Sequence, residues 1–452
     1  MLDLKVINGT LFIPGVGLVK SGVGVQSGKI AMIASDDLLP DAKEVVDAGG
    51  NFVIPGCIDP HVHIGIVTTY EGEIETETRS ALSGGITTIG IFMGGAESYL
   101  GILPGAISTG EARSSTDFML HLSIFTPQQM EEIDTYYSQF GVTDFKFYMT
   151  GVKGIFPNVA DDFIRSGFRK IASMGAPAIG CVHCEDQEQV DRGWEEMDKI
   201  ENLTLRDWEN SSPAGAEADA ARRFVNIARE TGARAYMVHM SSREAAEVLT
   251  DMFKEGRDNI YVETTSAYCG MTSDDPAGKL AKMVPPIRGN DSQEALWKAV
   301  KSGIVSTFGT DNVSCATLHK GDSFKTAMPG YPVIGTHIPV LLTEGYHKRG
   351  IPWTTIIEKA TKGPAEAFGI YPRKGTIAVG SDADLVILDL NKEEVVDPST
   401  HYSFSDFTLF QGRRLKGWPV RVIKGGQVAV VDGKVVSSPG IGKYLRRELI
   451  KK

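Results

Sequence analysis

Between residues 52 and 310 the chain repeats one texture, a short run rich in Val, Ile, Phe and Met followed by a stretch long enough for a helix. The runs fall at 52–63, 87–93, 117–125, 144–149, 177–184, 235–240, 259–265 and 305–310, with amphipathic stretches such as 217–231 and 292–302 between them. Strands that are apolar along most of their length and joined by helix-length connections belong to parallel sheets covered by helices. Eight such repeats predict an α/β fold, a (β/α)8 TIM-type barrel, with a doubly wound open sheet as the alternative.

The two ends have a different texture. Residues 3–7 and 22–26 read as short strands punctuated by Asn8-Gly9 and Ser27-Gly28, and strand-like segments return at 375–380, 381–389 and 420–426. This composition predicts that residues 1–51 and 375–452 build one small β-sandwich, with residues 52–374 inserted between them as the barrel. The basic residues Lys443, Arg446, Arg447, Lys451 and Lys452 read as a solvated surface helix, or as a tail reaching a neighbouring subunit.

Charge and cysteine content narrow the partners. A formal net charge of −11 argues against a nucleic-acid partner, since a phosphate-binding surface carries a basic excess. The 5 cysteines are too scattered for a disulfide framework and fit a reducing compartment. Cys181 and Cys184 flank His183 in a strand-like run, where core thiols are the simplest reading. The N-terminus lacks a signal-peptide layout and no apolar run reaches membrane-spanning length, so a cytoplasmic protein is expected.

In a barrel of this kind the chemistry sits at the C-terminal ends of the strands. Those ends carry His61 and His63, Lys146, His183, His239 and Asp311. The pair His61 and His63, at i and i+2, projects from one strand face and can share a metal, although a lone His-x-His is equally a hydrogen-bonded strand end. Histidines in apolar contexts such as Cys181-Val182-His183-Cys184 and Tyr236-Met237-Val238-His239-Met240 are costly to bury without partners. Gathered on separate strands with a carboxylate and a lysine, they point to a metal cluster. A protonated lysine would repel cations, but burial favours the neutral amine, and carboxylation by CO2 converts it to an anionic carbamate whose two oxygens can bridge two metals.

These motifs carry a family resemblance over essentially the whole chain. Asp59-Pro60-His61-Val62-His63, Phe145-Lys146-Phe147, Val182-His183-Cys184-Glu185, Val238-His239-Met240-Ser241-Ser242, Val262-Glu263-Thr264-Thr265, Pro285-Pro286-Ile287-Arg288 and Gly309-Thr310-Asp311 resemble, in order and spacing, the cyclic amidohydrolases of the amidohydrolase superfamily, the hydantoinase and dihydropyrimidinase group. The resemblance implies a binuclear site, usually zinc, with His61, His63 and Asp311 on the more buried ion, His183 and His239 on the other, and carboxylated Lys146 bridging both. It further implies opening of a hydantoin- or dihydropyrimidine-like cyclic amide or imide by a metal-bridging hydroxide, Asp311 as proton shuttle, a small cyclic substrate, and a homo-oligomer, commonly a tetramer.

The chain departs from that pattern at the candidate substrate-binding positions. Gly151 stands where relatives carry a tyrosine five residues after the lysine, Val284 where they carry a serine, and Gly330 where they carry an asparagine. Tyr148, on the strand face of Lys146, is able to replace that tyrosine or to pack inside the barrel. Gly65 replaces the arginine typical of dihydroorotases, and Ile64-Gly65-Ile66 lacks the polar residue of allantoinases. Ile64, Ile66 and Phe156 suggest a substrate with an apolar substituent. An allantoinase-like enzyme, or another amidohydrolase acting on a different cyclic amide, is the alternative. A non-catalytic assembly protein of the same group is the other, although it would be expected to have lost ligands that are all present here, and deaminases of the superfamily generally use one metal without a carbamate.

Overall fold

The computed structural model describes residues 1–450. Eight strands, β1 (Cys57–His63), β2 (Ile86–Met93), β3 (Asp117–Ser123), β4 (Asp144–Tyr148), β5 (Ile179–His183), β6 (Ala235–Met237), β7 (Ile260–Thr265) and β8 (Thr307–Gly309), follow in sequence, each parallel to the next. The short strand Asn312–Val313 continues β8 and pairs in parallel with Val62 and His63 of β1, which closes the ring. Closure leaves no free sheet edge, so the fold is the (β/α)8 barrel rather than the open sheet.

Helices cover the outside. The first, α1 (Tyr70–Ser83), is capped by the Thr69 hydroxyl, which accepts the Gly72 N–H at 3.2 Å. The amphipathic stretches expected at 217–231 and 292–302 are the helices Ala214–Thr231 and Asn290–Ser302. Inside the ring, Ile58, Phe92, Met119, Cys181, Tyr236 and Phe368 fill the barrel below the catalytic face. All 5 cysteines are free and buried, and burial pushes the thiols of Cys181 and Cys184 well above their ordinary range, as inert packing groups.

Two predicted strands are interrupted. The run 52–63 divides at Gly56, where an added Cβ would lie 2.1 Å from the Thr87 hydroxyl; Phe52–Pro55 joins another sheet and only Cys57–His63 belongs to the barrel. The run 305–310 ends at Gly309 because the chain turns at Asp311, a non-glycine residue with φ of +54°.

Both chain ends meet beside the barrel. One sheet has the order Lys29–Ala34, Gly22–Gln26, Leu2–Ile7, Ala42–Asp47. In the other, Phe52–Pro55 pairs antiparallel with Leu385–Val395, which in turn pairs with Arg414–Lys424. Leu4, Val6, Val23, Val25, Val53, Leu385, Ile387 and Ile423 form the core between the sheets. At the foot of β3, Lys374 contacts Asp117, Asp384 and, at 2.9 Å, Asp382, while Lys424 lies 2.9 Å from Asp117. These three aspartates have the spacing of a cation site, but Lys374 and Lys424, with Lys29 and Arg373 on Asp382, already pair with them.

Among the described residues the surface helix expected at the C-terminus does not form; Lys451 and Lys452 lie outside them. Residues 443–450 run extended under the barrel, with the Leu445 N–H donating to Phe118 O at 2.9 Å and the Arg447 N–H to Gly141 O at 3.1 Å. Leu445 is buried in the barrel interior, and the Arg447 guanidinium is buried against Asp144. A basic residue read as solvated is thus drawn inside by a buried carboxylate far away in sequence. No described helix is long and apolar enough to cross a membrane.

Candidate metal centre

The barrel brings four of the predicted ligands into direct contact. On the catalytic face His61 Nε2 lies 3.2 Å and His63 Nε2 3.1 Å from the same oxygen, Asp311 Oδ1, and the Lys146 amine lies 3.2 Å from His61 Nε2. All four residues are buried. His183 and His239 stand beside them, their ring centroids 4.5 Å apart, with the His239 ring stacked 5.5 Å from that of His61. His239 and Asp311 both hold left-handed backbone, φ of +41° and +54°. Two strained non-glycine residues just after β6 and β8, at the same face of the barrel, are a mark of a functional site.

The protonation states suit a metal. Burial, with Lys146 beside it, holds His61 well below its ordinary value, and burial with His183 and Lys146 nearby does the same to His239. Neutral imidazoles are what a metal needs. Burial raises the Asp311 carboxyl, but the neighbouring His61 and His63 more than offset it, so it is held below the usual carboxylate range. The Lys146 amine meets only His61 Nε2 and the faces of Phe92 at 4.4 Å and Tyr148 at 4.8 Å; no carboxylate pairs with it among the described residues. His239 Nδ1 and His63 Nδ1 are buried without partners. A buried amine with no carboxylate within ion-pair distance among the described residues, beside a convergent His-His-Asp set, fits metal ions held with a carboxylated lysine.

Carboxylates behind the ligands orient them. Glu263 on β7 receives His61 Nδ1 at 2.7 Å, the His239 N–H at 2.9 Å and the Tyr236 hydroxyl at 2.8 Å. With Nδ1 held there, His61 presents Nε2 to the centre. Glu185 takes His183 Nε2 at 2.7 Å and also accepts the Ser212 hydroxyl, which leaves Nδ1 as the His183 nitrogen that could face an ion. Asp59 clasps β1 to the end of β8, accepting the N–H groups of His61 at 3.1 Å and Thr310 at 3.0 Å. Sequence reasoning gave these three acids no role, although each lies in a motif that carries the family resemblance. Because such outer partners fix the tautomer and the ring orientation, Glu185→Gln and Glu263→Gln are each expected to weaken metal retention by roughly 10–100-fold. Competition with a chromophoric chelator measures it; undiminished retention in both variants would remove the orienting role.

The candidate substrate positions have the following surroundings. Gly151 donates its N–H to Gln187 Oε1 at 2.8 Å, and a Cβ there would meet Phe156 O at 2.7 Å, so no side chain fits. Gly330, with φ of +122°, donates its N–H to Lys282 O at 2.9 Å and accepts the Lys320 amine at its carbonyl; a Cβ would meet that of Val313 at 2.6 Å. Val284 is buried at the start of the Pro285-Pro286-Ile287-Arg288 segment. Tyr148 packs between Phe125 and Phe156, 5.3 Å from each and 5.7 Å from the His183 ring, and its hydroxyl has no protein partner. Beside Phe92, whose ring lies 4.6 Å from His61, a cavity of 470 Å³ is lined by Ile64, Ile66, Met93, Ile155 and Phe156.

Residues 52–429 match the amidohydrolase family. The chain is 31% identical to an L-hydantoinase of Paenarthrobacter aurescens, over 99% of this chain and 98% of the relative. It is 32% identical to a D-hydantoinase of Geobacillus stearothermophilus, over 97% and 95%, and 30% identical to an allantoinase of Desulfitobacterium hafniense, over 98% of each. Among solved structures, the L-hydantoinase (dihydropyrimidinase) from Arthrobacter aurescens superposes with a TM-score of 0.91 at 29% identity, covering 98% of this chain and 99% of that one.

Proposed function

The chain belongs to the amidohydrolase family, and from that premise we propose how its strand-end residues divide the work of cyclic-amide hydrolysis. The protein is a metal-dependent cyclic amidohydrolase that hydrolyses a C–N bond of a hydantoin- or dihydropyrimidine-like ring. The observation that carries the assignment of residues is the convergence of His61 and His63 on Asp311, at 3.2 and 3.1 Å, with the Lys146 amine 3.2 Å from His61.

In our reading the centre takes two divalent ions, zinc by preference for a set of imidazoles and carboxylate oxygens. His61, His63 and Asp311 hold the more buried ion, His183 and His239 the other, and carboxylated Lys146 contributes to both. Bound there, the ions supply the Lewis acidity that activates water and polarises the ring carbonyl. Asp311 Oδ1 faces His61 and His63, which leaves Oδ2 to accept the proton of the attacking water and return it to the departing ring nitrogen. Phe92 and Tyr148 wall the Lys146 amine from bulk water.

The lining of Ile64, Ile66, Phe92, Met93 and Ile155 supports a ring carrying an apolar substituent. The same lining disfavours the polar ureido arm of allantoin, although allantoinases are among the relatives. Gly151, Val284 and Gly330 are proposed to shape the ring site through backbone, since none of them offers a polar side chain. A homotetramer rests on the family resemblance, and a cytoplasmic location on the 5 free cysteines.

A panel of unsubstituted hydantoin, 5-alkyl- and 5-aryl-hydantoins, dihydrouracil and allantoin tests the reading. Turnover is expected to be highest on rings with apolar substituents. Allantoin as the best substrate would overturn the substrate assignment, and inactivity on every cyclic amide with metal bound would overturn the reaction.

A further inference from the structure

Helix α1 opens with Glu71, Glu73, Glu75 and Glu77, whose alternation puts Glu71 and Glu75 on one side of the helix and Glu73 and Glu77 on the other. Two of the four are buried, and Glu73 is 1% exposed. Its carboxylate points out of α1 toward the loop that leaves β1. Oε2 accepts the Gly65 N–H at 2.7 Å, and Oε1 accepts the Thr68 N–H at 2.7 Å and the Thr68 hydroxyl at 2.9 Å. Oε2 also faces the Ser314 hydroxyl at 3.3 Å. Ser314 follows Asn312–Val313, the strand that pairs with β1 just after Asp311. One carboxylate therefore ties the loop after His63 to the segment after Asp311.

That loop is a wall of the 470 Å³ cavity, through Ile64, Gly65 and Ile66. Gly65 holds φ of +81° with Tyr70 Cα 3.2 Å from where a Cβ would sit, so the loop bends sharply back over the start of α1. Its backbone donors at Gly65 and Thr68 both end on Glu73, and a charged acceptor serving several donors is worth more than a neutral one. Glu73 itself does not line the cavity.

We propose that Glu73 is a positioning residue which fixes the wall of the substituent cavity and so sets the preference for substituted over unsubstituted rings. This rests on the reading above that the substrate is a cyclic amide with an apolar substituent. Glu73→Gln keeps the size of the side chain but replaces one of its two accepting oxygens by an NH2 group, which would face backbone donors. The loop should then lose its fixed position while the metal ligands keep theirs.

The test has two arms on the metal-loaded enzyme. In the first, kcat/KM is measured for unsubstituted hydantoin and for 5-benzylhydantoin. Glu73→Gln is expected to lower the value for the benzyl substrate by about tenfold or more and that for hydantoin by no more than about threefold, since misplacing a positioning wall costs rate only where it is used. In the second, amide hydrogen exchange of segment 64–69 is followed without substrate, and faster exchange is expected in the variant. Ser314→Ala, which removes one bond of the set, should shift both readouts the same way by less, and serves if Glu73→Gln folds poorly. An equal fall on both substrates, or unchanged exchange in 64–69, overturns the proposal. Failure of the wild type on both hydantoins would overturn the substrate reading and with it the proposed selectivity, while the exchange arm would still judge Glu73 as the residue that holds the loop.

Discussion

Lys146→Ala is expected to abolish turnover, by at least about a thousandfold, and to halve metal content or worse while the chain still folds. The reasoning begins with charge. An ammonium about 4 Å from a unit positive charge costs about 4 kcal/mol at an effective dielectric constant of 20, and more against a divalent ion. The Lys146 amine lies 3.2 Å from His61 Nε2, with no carboxylate to neutralise it among the described residues. As an ammonium it would drive metal out of the histidine cluster; as a carbamate it supplies an anionic oxygen to each side. Alanine removes the bridge and leaves a space a short carboxylate can enter. Millimolar acetate or propionate should therefore restore part of the metal content and part of the rate. Elemental analysis of the purified variant decides the matter, and full two-metal occupancy in Lys146→Ala would contradict the bridging role.

Asp311→Asn is expected to cost roughly 10²–10⁴-fold in kcat, the range for loss of a positioned proton carrier. The amide keeps an oxygen to face His61 and His63, so the unfolding midpoint and the far-ultraviolet spectrum should change little. What is lost is a group able to take and return a proton. The carboxyl is held below its ordinary range by His61 and His63 despite the burial that would raise it, so it is ionised across the neutral range. As a control for proton transfer to the ring nitrogen, rings with more acidic leaving nitrogens should suffer less from the substitution. A kcat within threefold of wild type on hydantoin would remove Asp311 as the shuttle.

The barrel and the clustering of His61, His63, Lys146 and Asp311 at one face were legible because a candidate metal site leaves few choices. Imidazoles, a carboxylate and a lysine must project from strand ends, and strand ends can be read from where apolar runs stop. The orienting acids were not legible. Glu263 reaches His61 across 202 positions and Asp59 reaches Thr310 across 251, so neither shows a local pattern. Glu73 is hidden in a different way: it alternates with Glu71 and Glu75, which pair with the half-buried Arg113, and only the fold shows that its own side of α1 is covered. The C-terminal tail was misread as a solvated helix because its charge was visible and its partner Asp144 was not. At Glu263, Asp59 and the C-terminal tail a charged side chain, read locally as solvated or left without a role, is buried by a partner remote in sequence.

Titration of the chelated protein with zinc tests the account most directly. Ring opening of a substituted hydantoin, absent after chelation, is predicted to return in proportion to added metal and to level off near two equivalents per chain, with carboxylated Lys146 detected by mass or by carbonyl labelling from ¹³CO2. Full activity in the metal-free protein, or saturation at one equivalent with an unmodified Lys146, would contradict it.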